Sequence, residues 1–215
     1  MSRKAVAPSG DDGGAEHPEL NWGLSLQETW RRKYRIQMET RRCLLRPFIE
    51  DDLDWLTDLL VDREVNHFLW DGVKSRDEAK RTAEGMIFLD LNRLQFGHWA
   101  IQDKSTGVIH GWTALGNLRP WSGPSDEIAV SYVLRRASWG QGLATETAGF
   151  LVRHAFEVHG LDTIMAVIVA GNIASKRVLE KIGMHFVQSS NEADGTTLEY
   201  FRINASTPAA RALQS

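Results

Sequence analysis

The sequence predicts a mixed α/β (α+β) domain whose sheet combines parallel and antiparallel strands, on three observations. Thr163 to Val169 (TIMAVIV) is an unbroken apolar run, as a strand buried on both faces requires. Before it come an extended run, Glu127 to Leu134 (EIAVSYVL), and a stretch with Ala144, Ala148, Leu151 and Ala155 at helical spacing. Strand, helix and strand in that order read as a parallel crossover. Two further pairs of extended runs surround the turn signals Asp103 to Gly107 and Ala193-Asp194-Gly195, and read as antiparallel hairpins.

In chain order, residues 1–38 are expected to be a flexible N-terminal extension. Residues 1–18 hold three glycines and two prolines with almost nothing large to bury, so ordering them costs more entropy than their contacts return. From Leu20 to Ile36, the apolar Leu20, Trp22, Leu24, Leu26, Trp30, Tyr34 and Ile36 are set among Arg31, Arg32, Lys33 and Arg35. A helix over 20–36 would dock either on an acidic partner or on its own domain with a solvated basic face. The compact domain is expected over 39–205, with a C-terminal tail at 206–215. Arg41 to Arg46 (RRCLLR) reads as a short strand stopped by Pro47. Leu53, Leu56, Leu59 and Leu60 mark a first helix behind Glu50, Asp51 and Asp52, whose charge suits the positive end of the helix dipole. Ser75 and Glu78 form a capping box ahead of Ala79, Ala83, Met86, Ile87 and Leu91, a second helix that ends before Gly97. His98 to Gln102 and Val108 to Leu115 make the first hairpin. Along the run from Glu127, residues Ile128, Val130, Tyr132 and Leu134 share one face, and Glu127, Ala129 and Ser131 the other. Asn172 to Ile182 is a further helix stopped by Gly183, and Met184 to Ser190 pairs with Thr196 to Ile203.

Composition narrows the function classes. At 215 residues the chain suits one domain with an extension, given about 100–200 residues per domain. A net charge of −3 supplies no global electrostatic reason for a nucleic acid or an anionic membrane as partner. The lone Cys43 excludes an internal disulfide and a Cys-rich zinc site, so a reducing, cytoplasmic setting with no metal is expected. The N-terminus lacks the basic stub and apolar run of a signal peptide, and no stretch of about 18 uncharged apolar residues occurs.

The chemistry concentrates in Leu134 to Glu146 (LRRASWGQGLATE), between a strand and a helix. Gly140 and Gly142 let the backbone turn tightly and approach a ligand, and the free N–H groups at the following helix N-terminus form an anion site. The Walker phosphate loop is excluded because no Gly-Lys-Ser/Thr closes the span, and the match to the dinucleotide fingerprint is incomplete. The competing reading is a strand-to-helix turn that uses glycine for geometry alone. Asn172 and Ser175 follow the buried strand directly, at the C-terminal edge where parallel sheets bind ligands. Their alternative role is plain capping, with Asn at the N-cap and Ser at the third helical position.

Together, GQGLATE after a strand ending YVL and N-x-x-S-x-x-V-L-E-K-I-G-M resemble the GNAT acetyltransferases, most closely the RimJ/RimL type that acetylates N-termini of ribosomal proteins. RRCLLRPFIEDDLDWLTDLLVDREVNHFLW is similar to the opening of that subgroup, and the resemblance runs from about Glu39 to Ala205. It implies the GNAT fold, a mixed, mostly antiparallel twisted sheet of about seven strands with a central parallel pair and flanking helices. It implies acetyl-CoA as co-substrate, with the pyrophosphate on the backbone N–H groups of Gly140, Gln141, Gly142, Leu143, Ala144 and Thr145. The pantetheine arm would pair with the main chain near Tyr132, Val133 and Leu134, Asn172 would hydrogen-bond it, and Ser175 would face the sulfur. Three positions depart from the family pattern: Ala137 replaces a Gln or Arg, Ala129 replaces the usual Glu, and Leu179 stands where other members carry a general-acid Tyr.

Amide formation requires an amine to lose its proton, attack a thioester carbonyl and expel a thiolate. A main-chain N–H on the strand before the glycine loop can hold the developing oxyanion, Ser175 can donate to the leaving sulfur, and a base takes the amine proton. Glu127 is the candidate base, two residues before the usual place. It equally suits an exposed carboxylate at a strand start, and His110 and His98 are weaker candidates. Direct transfer suits a chain with one cysteine. The expected acceptor is a protein N-terminus or other primary amine, handled by a monomer or homodimer. The alternatives are an aminoglycoside or polyamine acetyltransferase, which the acidic loops 51–62 and 71–84 would allow, and a non-catalytic acyl-CoA-binding module. Trp70, Trp112 and Trp121 would wall the acceptor site or serve as core packing.

Overall fold

A computed structural model describes residues 37–69, 72, 74–89, 96–118 and 127–214. The proposed docking helix at 20–36, Leu91, Trp70 and Trp121 lie outside the described residues. The eight strands are β1 (Met38–Glu39), β2 (Cys43–Pro47), β3 (Gly97–Asp103), β4 (Ile109–Asn117), β5 (Ile128–Leu134), β6 (Thr163–Val169), β7 (His185–Asn191) and β8 (Thr197–Asn204), in spatial order β1-β2-β3-β4-β5-β6-β8-β7. Every neighbouring pair is antiparallel except β5 and β6. The helices are α1 (Leu53–Val61), α2 (Arg76–Leu89), α3 (Leu143–Glu157), α4 (Ile173–Lys181) and α5 (Pro208–Gln214), with 3-10 turns at Glu50–Asp52, Val65–Phe68 and Arg136–Ser138.

The mixed sheet forms as the patterning requires, and the eighth strand beyond the expected seven is the two-residue β1. β6 occupies Thr163–Val169 and is covered on both faces. Ile164, Ala166 and Ile168 join the core under α3, and Met165 packs with Leu118, Leu198 and Tyr200 on the other side. The alternation of β5 also holds, with Ile128, Val130 and Leu134 in the α3 core and Tyr132 packed against it.

Four details differ from the sequence reading. β2 begins at Cys43 and includes Pro47, which pairs with Trp99. The acidic stretches 51–62 and 71–84, weighed as loops beside an acceptor, are largely the helices α1 and α2 that the leucine spacing and the Ser75–Glu78 capping box predict. Asp52 does more than favour a helix dipole: it is buried, takes both Arg46 Nη atoms at 2.7 and 2.8 Å, and accepts from Trp55 Nε1 at 2.6 Å. Burial alone would raise its carboxyl, but the Arg46, Trp55 and Ile49 hydrogen bonds together hold it below its ordinary value. Finally, the residues expected as a C-terminal tail carry α5, whose Ala210 is fully buried and whose Leu213 carbonyl accepts from Arg153 on α3 at 2.8 Å.

Candidate functional site

β5 and β6 pair at a single register, Ala129 with Met165. Beyond it they diverge toward their C-terminal ends, and a cleft of about 610 Å³ opens there. Its walls are the end of β5, the glycine loop, the first turns of α3 and α4, and the 3-10 turn Val65–Phe68.

The backbone of β5 has one edge committed and one edge turned to this cleft. Leu118 N–H donates to the Glu127 carbonyl and Arg135 N–H to the His110 carbonyl, each at 2.8 Å. These two bonds bracket the β4–β5 ladder and fix its alternation: Ala129, Ser131 and Val133 bond toward β4, while Val130, Tyr132 and Leu134 turn N–H and C=O the other way. Of the three residues expected to pair with the pantetheine, Val133 therefore lines the cleft but spends its main chain on Trp112. Tyr132 and Leu134 face the gap. The Leu134 carbonyl already accepts from Trp139 Nε1 at 2.9 Å, so Leu134 offers its N–H.

The glycine loop has the left-handed backbone that its sequence requires, with φ of +73° at Gly140 and +75° at Gly142. Gly142 is the N-cap of α3 and brings no capping side chain, and its carbonyl accepts the Glu146 N–H at 3.0 Å. The first-turn N–H groups are thus uncapped by side chains at the helix's positive end. Gly140, Gly142, Leu143, Ala144 and Thr145 line the cleft. Gln141 is the loop member that does not: its side-chain amide bonds the Ala137 carbonyl at 2.9 Å and its own carbonyl bonds Arg42 Nη1, also at 2.9 Å. Arg177 and Lys181 of α4 add cationic groups to the lining.

Asn172 and Ser175 share the cleft, and the capping geometry is present too: Asn172 Oδ1 accepts the Ser175 N–H at 3.1 Å. Capping fixes the first turn of α4 and so fixes where the Ser175 hydroxyl is carried. Tyr132 adds a side-chain role that the main-chain reading did not foresee, because its hydroxyl donates to the Ser175 carbonyl at 3.2 Å. Leu179, at 1% exposure, is core.

The structure does not bring Glu127 to the cleft. It precedes β5 at the end opposite the glycine loop, about 23 Å of extended chain from Leu134 at roughly 3.3 Å per residue, and lies 3.5 Å from Arg202 Nη2. Alternation puts Glu127 on the face of Ser131, and a face says nothing about which end of the strand meets the cleft. His98 stacks on Phe48 and meets Trp112 of β4 edge to face. His110 Nδ1 lies 2.8 Å from Ser138 Oγ and its Nε2 3.7 Å from Asp103, so it braces the turn ahead of the glycine loop. Cys43 is fully buried, and burial pushes its thiol up.

His67, on the turn Val65–Phe68, is the imidazole that lines the cleft. It lies inside the segment that carried the family resemblance, yet no spacing marks it as chemical. Its neighbour Glu64 is paired with Arg136 at 2.9 Å. Among the described residues no group of His, Cys, Asp and Glu is arranged to hold a metal, and no helix is long and apolar enough to cross a membrane.

The chain resembles known proteins in sequence and in fold. The family described as "Acetyltransferase (GNAT) domain" matches residues 42–185. Bacillus subtilis YkkB is 29% identical over 154 residues, which cover 71% of this chain and 87% of that protein. The FsC-acetyl coenzyme A-N(2)-transacetylase of Aspergillus fumigatus is 27% identical over 162 residues, 73% of this chain and 68% of the relative. A GNAT-family acetyltransferase structure from Bacillus anthracis superposes with a TM-score of 0.68 at 17% identity, covering 80% of this chain and all of that one. RimL, a ribosomal L7/L12 alpha-N-protein acetyltransferase solved with coenzyme A, gives 0.64 at 16% identity, covering 78% and 97%. At these identities the two structures show the shared fold.

Proposed function

The chain belongs to the GNAT family of acetyl-CoA-dependent N-acetyltransferases, and on that premise we propose that it acetylates a protein N-terminus by direct attack on acetyl-CoA. The observation that carries the mechanism is the free edge of β5, running from its single register with β6 to a glycine loop whose N–H groups no side chain caps. An elongated ligand with a hydrogen-bonding arm and a phosphate end fits that edge and that loop.

In this reading Gly142, Leu143, Ala144 and Thr145 hold the pyrophosphate through main-chain N–H groups, with Gly140 leaving room for its approach. Tyr132, Leu134 and Asn172 align the pantetheine arm. Bound there, acetyl-CoA supplies an activated acetyl thioester. The Tyr132 main-chain N–H faces the developing oxyanion, as a fixed dipole that needs no reorganisation during the reaction. The Ser175 hydroxyl hydrogen-bonds or protonates the departing sulfur. Glu127 being remote, His67 takes the amine proton, directly or through water, a step worth about 10²–10⁴ in rate.

The lining favours a protein N-terminus over a polycation. Val65, Phe68 and Leu69 make an apolar wall beside His67, and among the described lining residues Glu64 is the one carboxylate, already paired with Arg136. A polyamine or aminoglycoside would leave its charges without partners there. The test is thiol release from acetyl-CoA in the presence of peptides with varied N-termini, polyamines and aminoglycosides. Release driven by peptides supports the reading, and release driven only by polycations overturns the acceptor class. Tight coenzyme A binding without amine-dependent release would make the chain a binding module.

A further inference from the structure

The glycine loop is held partly from outside itself. Two left-handed glycines give it freedom, and contacts that limit that freedom come from the entry to β2, where Arg42 lies 99 residues before Gln141. Glu146, in the first turn of α3, accepts from Thr40 Oγ1 at 2.7 Å, Arg42 N–H at 2.8 Å and Arg42 Nε at 2.6 Å, so both carboxylate oxygens are engaged. Arg42 continues past Glu146 to the loop, where Nη1 donates to the Gln141 carbonyl. Thr40 is buried and its hydroxyl is fixed in turn by the Cys43 N–H at 3.0 Å.

Two consequences follow from stereochemistry and charge. In a trans peptide the C=O and the next N–H point in opposite directions. Pinning the Gln141 carbonyl toward Arg42 therefore aims the Gly142 N–H away from Arg42, while the helix's own bond from Glu146 N–H to the Gly142 carbonyl turns the Leu143 N–H out of the N-terminal end of α3. The second consequence concerns Glu146, a carboxylate one turn from an anion site. Burial alone would raise it, but the Thr40 and Arg42 hydrogen bonds outweigh that and hold it ionised below its ordinary value. A bare carboxylate there would repel a phosphate; the adjoining guanidinium neutralises it.

We propose that Arg42, supported by Thr40, is a positioning residue for the pyrophosphate loop: it aims the Gly142 N–H group at the ligand and cancels the charge of Glu146. This rests on the reading of the loop as the pyrophosphate site. The charge argument makes a statement that simple scaffolding does not. Arg42→Gln exposes the Glu146 charge, so the double variant Arg42→Gln/Glu146→Gln should bind coenzyme A more tightly than Arg42→Gln alone.

The test uses the full chain below the melting temperature of each variant. Calorimetric titration gives the Kd for coenzyme A, and steady-state kinetics compare acetyl-CoA with S-acetylpantetheine, which lacks the pyrophosphate. Arg42→Gln should raise the Kd about tenfold or more, as expected for loss of charge-assisted hydrogen bonds, and reduce the preference for acetyl-CoA over S-acetylpantetheine by a similar factor. The double variant should recover part of both losses. Thr40→Ser should match wild type, while Thr40→Val should shift as Arg42→Gln does, more weakly. An unchanged Kd in Arg42→Gln overturns the proposal, as does equal loss of both acyl donors or a double variant weaker than the single one. Wild-type protein with no preference for acetyl-CoA over S-acetylpantetheine overturns the loop reading itself, and the clamp with it.

Discussion

The Tyr132 hydroxyl donates to the Ser175 main-chain carbonyl at 3.2 Å and so ties the strand leading to the glycine loop to the helix carrying the candidate proton donor. One hydrogen bond spans the place where β5 and β6 have already parted. Burial pushes the phenol well above its ordinary value, so it stays a neutral donor throughout the working pH range.

Tyr132→Phe keeps the ring and removes that tie. Unfolding in urea should show a loss of about 1 kcal/mol, the net value of a typical buried hydrogen bond, and kcat should fall several-fold as Ser175 loses its fixed distance from β5. The sign of the pH effect follows from the raised phenol. Above about pH 10 the unfolded chain releases this proton and the native state keeps it, so wild-type stability falls as pH rises and the variant lacks that part of the fall. Stability curves of identical slope above pH 10 would contradict the burial of the group.

Ser175→Ala should lower kcat about tenfold or more while leaving the Kd for acetyl-CoA within about twofold, because the hydroxyl acts on the leaving sulfur and the helix keeps its Asn172 cap. Equal kcat in the variant would return Ser175 to capping alone. Stopped-flow binding with steady-state kinetics separates the two.

His67→Gln should lower kcat/KM about 100-fold, as removal of a base does. Glu127→Gln, at the far end of β5 beside Arg202, should change turnover by less than about twofold. The opposite ranking of the two variants would return the base to Glu127.

Gly142→Val should abolish coenzyme A binding in calorimetry. Part of the effect is strain of roughly 1–2 kcal/mol at a left-handed φ, and part is a side chain pressed against Arg42, whose Nη2 lies 3.7 Å from where the Cβ would stand. Gly160→Val separates these parts. At φ +63° with open space around it, Gly160 should show the strain in unfolding and leave the Kd unchanged.

What was legible in the sequence was what short spacing encodes. The turn at Gly140 and Gly142 and the helix start at Asn172 and Ser175 could be read because each is encoded within a few residues. β6 could be read because burial on both faces leaves an unbroken apolar run. Pairings made over long sequence distances were not legible. Nothing near Glu146 announces Arg42, and nothing after β6 says that β8 slots in beside it and leaves β7 at the edge. The distance of Glu127 from the cleft was hidden for a related reason: alternation along a strand assigns a face, whereas nearness to the cleft depends on which end of the strand a neighbour abandons.

That abandonment also bears on mechanical cohesion. With β5 and β6 joined at one register, β1–β5 and β6–β8 are two blades that share a short seam, and the covering helices and the Tyr132 tie carry the rest of the load. A ligand hydrogen-bonded along the open edge of β5 stands where a strand stands elsewhere in the sheet. Substrate occupancy and structural integrity then become one thermodynamic quantity, with about 2.7 kcal/mol of added stability at a hundredfold excess over Kd. The folded population in a cell would rise and fall with its supply of acyl donor.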